Sequence, residues 1–147
     1  MFQHLFATVL LLFFAFFSIV AEESTAGEKA KKTEVEGIRK LDEGKENGPK
    51  RITFTNNKFE LHFSEDRVMK GTFKINTEEN PSWMDMTILS DTEEKFKGKV
   101  ALCIYKFDGE FFYWCAARPG RKRRPQEFVE IMGDARLILG KFKMEKK

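Results

Sequence analysis

The sequence predicts an all-β protein: a single antiparallel up-and-down meander of about eight to nine strands that closes into a small barrel, preceded by an N-terminal hydrophobic signal helix. Three observations carry that expectation. From residue 51 onward apolar side chains recur at every second position, the spacing of a strand with one buried face. The alternating runs are short and end in Asn, Asp, Gly or Pro, the residues that turn a chain. So many short strands on short links would leave two open edges in a flat sheet, and curling the sheet into a barrel removes them.

The leader comes first. Leu5 to Val20 reads LFATVLLLFFAFFSIV, uncharged, with Thr8 and Ser18 as its only polar side chains. Such a run is shorter than the ~20 apolar residues a bilayer core prefers, which favours a cleavable signal peptide over 1–21 with the cut after Ala21. The residues before it, Met1 to His4, lack Lys and Arg, and an uncleaved, membrane-tethered form is the alternative. No Cys follows the apolar run, which excludes a bacterial lipoprotein amino terminus. The protein is therefore expected outside the cytoplasm, periplasmic or secreted.

Residues 22–33 (EESTAGEKAKKT) carry no large apolar side chain and read as a charged linker, leaving 34–147 as the folded domain. Its first strand is expected near Val35 to Leu41. Ile52 and Phe54, then Phe59, Leu61 and Phe63, alternate with polar neighbours across Asn56-Asn57 and form a hairpin. Met69, Gly71, Phe73 and Ile75 share the next inner face. After Asn80-Pro81 come Met84, Met86 and Ile88, opposite Trp83, Asp85 and Thr87. Lys99 to Phe107 and Glu110 to Ala117 flank an Asp108-Gly109 turn, and both strands are apolar on both faces, as expected of a central or overlapped pair. Strands over 128–132 and 136–142 complete the series.

At 33% charged and 41% hydrophobic residues the composition is globular, and a net charge of +3 is too mild to argue for nucleic acid. No specific nucleic-acid partner is expected. One His after the leader, His62, and two Cys outside CxxC spacing give no metal-ligand set and no Cys–His pair. There is no GxSxG elbow and no glycine-rich phosphate loop, so no catalytic residue, metal or cofactor is assigned.

The run GTFKINTEENPSWMDMTI and the stretch FKGKVALCIYKFDGEFFYWCAARPGRKRRPQEF resemble a small uncharacterised domain family found mainly in planctomycete bacteria. The elements that carry the resemblance are Gly71 and Phe73, Pro81 and Asp85, Ile104 and Tyr105, Gly109, Cys115, then Arg124, Pro125 and Phe128. The resemblance implies an exported, lipocalin-like β-barrel of unknown role, with no catalytic residues to carry over. The chain departs from the pattern at its start, where Gly37-Ile38-Arg39 stands in place of a Gly-Thr-Trp strand. In lipocalin-like barrels a Trp at that point plugs one end.

Two candidate sites remain. A barrel interior can hold a small apolar ligand, with Trp83, Met84, Asp85, Met86, Tyr105 and Trp114 as the residues to contact it. The loop RPGRKRR offers Arg118, Arg121, Lys122, Arg123 and Arg124 to an anionic envelope polymer or lipid head groups. Asp85 is alternatively structural, paired with Arg124. A two-residue Asp108-Gly109 turn would set Cys103 against Trp114 and Cys115 against Leu102, on opposite faces, so no disulfide is expected. The leading expectation is an exported, non-enzymatic domain that binds a small apolar ligand or an envelope component. A structural envelope protein using the basic loop comes second, and a hydrolase with an unrecognised site third.

Overall fold

The computed structural model describes residues 34–44, 46–128 and 137–145. The expected leader (1–21), the linker (22–33) and most of the strand expected over 128–132 lie outside them. Within them the chain forms eight strands: β1 (Gly37–Gly44), β2 (Arg51–Thr55), β3 (Lys58–His62), β4 (Val68–Asn76), β5 (Ser82–Asp91), β6 (Val100–Asp108), β7 (Phe111–Ala117) and β8 (Leu137–Met144). Each pairs antiparallel with its neighbour in sequence, and β8 returns to β1, with Arg39 opposite Met144 and Leu41 opposite Phe142, so the barrel is closed.

Period two places the core. Ile52, Phe54, Phe59, Leu61, Met69, Phe73, Met84, Met86, Ile88, Cys103, Phe112, Trp114 and Phe142 all point inward and are buried. Gly71 shares this inner face where β4 and β5 approach at a bulge, and a Cβ there would collide with the Thr87 carbonyl and the Phe59 ring. The glycine is thus what lets the two strands meet.

Two expectations need correction. The first strand starts at Gly37 rather than Val35, because Gly37 turns the chain into the sheet at φ 122°, which side chains rarely adopt. Residues 34–35 are helical, and Val35 is fully buried in the core. The β6–β7 turn is Gly109-Glu110, not Asp108-Gly109: Gly109 takes the left-handed conformation (φ 58°) at the first turn position, with Asp108 opposite Phe111. Cys103 therefore sits against Ala116, and Cys115 against Ile104. A shift of two residues preserves parity, so the two thiols still face opposite sides of the sheet and are not bridged.

One end of the barrel is filled by Arg39, which lies 3% exposed inside it, its guanidinium 5.2 Å from the Phe107 ring centroid and 5.1 Å from that of Phe112. Its Nη2 donates to the carbonyls of Glu34 (2.8 Å) and Val35 (3.2 Å). A planar cation with a long stem fills this end and ties the helical residues 34–35 across it.

The outer face of β6 and β7 is apolar because it is covered. Residues 118–128 run back across it. Gly120 N–H donates to the Val100 carbonyl (2.8 Å), Pro125 is buried, and the Phe128 ring packs edge-on to Tyr113 at 6.5 Å. Ile104 and Cys115 are both fully buried on this outer face.

Candidate functional site

The two ends of the barrel differ. At the Arg39 end, Tyr105, Phe107, Phe112 and Phe142 pack ring against ring at centroid distances of 5.3 to 6.4 Å and fill the interior. Burial drives the Arg39 pKa down to about 10 and pushes that of Tyr105 up to about 12, since both charged forms lose water there. The other end holds a cavity of about 320 Å³. Its walls are Leu61, Met69, Met86, Ile88, Ala101, Trp114, Ala116 and Ile138, and its mouth is ringed by Phe63, Arg67, Lys95, Phe96 and Arg118. That volume lies at the low end of the ~300–1,000 Å³ typical of small-molecule sites.

The mouth is built by two short loops. After β5, the Asp91 carboxylate, 2% exposed, accepts the backbone N–H of Glu93 (3.2 Å) and of Phe96 (2.9 Å). These bonds fold residues 91–99 so that Phe96, 8% exposed, leans over the opening. Between β3 and β4, Arg67 stacks on Phe63 at 4.4 Å, with its Nε 3.3 Å from Glu93 Oε1 though outside hydrogen-bond geometry. Arg67 thereby links the two loops.

The candidate ligand residues fall on both sides of the wall. Met86 and Trp114 line the cavity. Met84 and Tyr105 point inward but are packed in the filled part of the core. Trp83 and Asp85 lie on the outer face, beneath Arg124. Strand alternation alone requires this split, so the six cannot contact one ligand inside the barrel. Trp114 has a buried indole N–H with no acceptor at hydrogen-bond geometry among the described residues. Its contact with the Cys103 sulfur is a poor substitute, sulfur being a weak acceptor. Burial pushes the Cys103 thiol far up, against the pull of the Arg124 charge, so it is no nucleophile.

The basic loop is likewise divided. Arg118, Arg121, Lys122 and Arg123 are exposed, whereas Arg124 turns onto the barrel wall with its side chain 11% exposed. Its guanidinium lies 4.5 Å from the Trp83 ring centroid, ion-pairs with Asp85, and donates from Nη1 to the Cys103 carbonyl (2.7 Å). It is a clasp for residues 118–128 and does not face a partner.

Among the described residues no three His, Cys, Asp or Glu side chains are grouped to hold a metal ion. His62 sits on the outside between Arg51 and Glu60, at 3.4 and 3.3 Å. Sequence reasoning missed Arg67, Lys95 and Phe96, which lie in loops that strand periodicity does not govern. The available signal was Phe96 itself, the one aromatic in the polar stretch DTEEKFKGK.

Fold and cavity together define a closed, eight-stranded antiparallel barrel with one filled end and one hollow end. No protein-family model, curated protein or solved structure matches the chain.

Proposed function

We propose that this chain is an exported, non-enzymatic barrel that binds a small apolar molecule in the cavity between Met86, Ile88, Trp114 and Ala116. The carrying observation is the contrast in filling. An interior that packs Phe against Phe at one end leaves about 320 Å³ open at the other, against almost wholly apolar walls. The hydrophobic leader supports the exported reading. The residues that carry the resemblance to the planctomycete domains support kinship in architecture rather than chemistry: Gly71 admits β5, Asp85 receives Arg124, and Pro125 and Phe128 cover β6 and β7. A structural role in the envelope through Arg121, Lys122 and Arg123 is the second reading, favoured by the exposure of those three side chains.

Titration of the purified protein with an uncharged apolar fluorophore, N-phenylnaphthylamine, tests this reading. Binding should perturb Trp114 and not Trp83, so W83F keeps the tryptophan response and W114F loses it. A116L, which fills the cavity from its wall, should abolish binding while leaving the melting temperature equal or higher. Absence of binding by the parent chain, or equal binding by A116L, refutes the proposal.

A further inference from the structure

We propose that the ligand is an anionic amphiphile whose apolar tail occupies the barrel and whose head group sits in a cationic cleft around Phe96, between Lys95, Lys99, Arg118 and Arg121. This rests on the reading of the cavity as a ligand site and names the class of molecule it takes.

The cleft, about 370 Å³, adjoins the cavity directly: Lys95, Phe96, Arg118 and Pro119 line both. Phe96 is the partition, presenting its ring to the apolar mouth on one side and to cations on the other. Lys99 Nζ lies 5.5 Å, Arg118 Cζ 5.4 Å and Lys95 Nζ 5.7 Å from its centroid. Charge placement on these loops is selective. Arg67 has Glu93 at 3.3 Å and Lys97 has Glu94 at 3.4 Å. No carboxylate among the described residues comes within ion-pair distance of Lys95, Lys99, Arg118 or Arg121. Cations gathered about one ring repel one another, and an anion set among them relieves that repulsion.

The positions of the two chambers determine the ligand. A tail in the cavity gains from leaving water, while a charged head held at the mouth keeps part of its hydration and avoids the cost of burial. A neutral hydrocarbon would leave the cleft unused, and a free anion would leave the cavity unused. The cleft is also preorganised. Asp91 holds the Phe96 backbone from one side and the Gly120–Val100 hydrogen bond holds the Arg118–Arg121 loop from the other, so little order must be imposed on binding.

Calorimetric titration of the purified protein with decyl phosphate, decanoate, decanol and inorganic phosphate, each amphiphile below its micelle threshold, separates the contributions of head and tail. Decyl phosphate and decanoate should each bind about tenfold or more tightly than decanol, and inorganic phosphate should bind far more weakly than either. The double variant K95A/R118A, altered only at exposed side chains, should weaken decyl phosphate about tenfold and decanol less than twofold. Raising salt from about 0.05 M to about 0.5 M should act in the same selective way. Equal affinity for decanol and decyl phosphate, or an equal loss of both in K95A/R118A, overturns the head-group assignment while leaving the cavity reading standing. Inorganic phosphate binding as tightly as decyl phosphate overturns it too, as an anion site independent of the barrel. Failure of all three amphiphiles removes the cavity reading and this inference with it.

Discussion

The two ends of the barrel handle positive charge in opposite ways. At the filled end a single guanidinium, Arg39, is taken inside and held by two aromatic faces and two backbone carbonyls. At the hollow end Lys95, Lys99 and Arg118 stay at the rim, exposed, around an opening with apolar walls. A desolvated charge held by rings and carbonyls becomes a structural member, because displacing it would cost both its packing and its hydrogen bonds. Charges left in water keep their electrostatic reach and cost little to rearrange. The same residue types therefore serve cohesion at one end and, under the proposed function, recognition at the other.

The contrast breaks most readily at Arg39. R39A should cost about 3 kcal/mol in urea unfolding at neutral pH, by hollowing the ring cluster and leaving the Glu34 and Val35 carbonyls without their donor. R39M, apolar and of similar reach, should cost about 1 kcal/mol or less, which would show that filling rather than charge closes that end. Next comes Arg124, a second cation withdrawn from solvent. R124A should lose about 2 kcal/mol and expose the outer face of β6 and β7 to proteolysis, since it strands Asp85 and the Cys103 carbonyl. At the hollow end D91A should cost about 1.5 kcal/mol by orphaning two backbone N–H groups, with the loss of order confined to residues 92–99 in hydrogen exchange.

Alkaline unfolding sharpens the picture of the interior. The folded Cys103 thiol keeps its proton far above its ordinary pKa of 9.0, so the unfolded chain releases that proton first. The associated stability is present below pH 9 and is lost as pH rises above it, at up to about 1.4 kcal/mol per pH unit. C103A should flatten the decline between pH 9 and 10. Above pH 10 Tyr105, with its pKa raised to about 12, adds a loss of the same sign, and Arg39, lowered to about 10, begins to oppose it. The smallest effect belongs to the solvated part of the basic loop: R123A should change stability by less than about 0.5 kcal/mol.

The wall was legible in the sequence, and the site much less so. Alternation separated Met84, Met86 and Ile88 from Trp83, Asp85 and Thr87, because a pleated strand with one face in the core imposes that order residue by residue, and the expected ligand set went wrong where it drew Trp83 and Asp85 from the face opposite Met84 and Met86. The Asp85–Arg124 pair was within reach for the same reason. Register was harder: the β6–β7 turn hinged on which of two adjacent residues took the left-handed conformation, and Gly109 occupies its first position. Closure is harder still, since the pairing of β1 with β8 joins residues about a hundred positions apart and depends on the shape of the whole sheet. The cavity mouth compounds these difficulties. Arg67, Lys95, Phe96 and Arg118 come from three separate connections, and only the closed barrel brings them together. Five basic residues within seven positions likewise gave no hint that Arg124 would part from the rest, which required the carboxylate, indole face and carbonyl that β5 and β6 present outside.

The strictly sequential order of the sheet also shapes how the molecule is made. Each hairpin can zip onto the one before it as the chain emerges, so loop-closure entropy stays small for the first seven strands. The exception is the final seam, because β1 and β7 both keep unsatisfied edges until residues 137–144 arrive. A chain truncated before that point would present two sticky borders to its neighbours, and its natural fate would be edge-to-edge association rather than a smaller barrel.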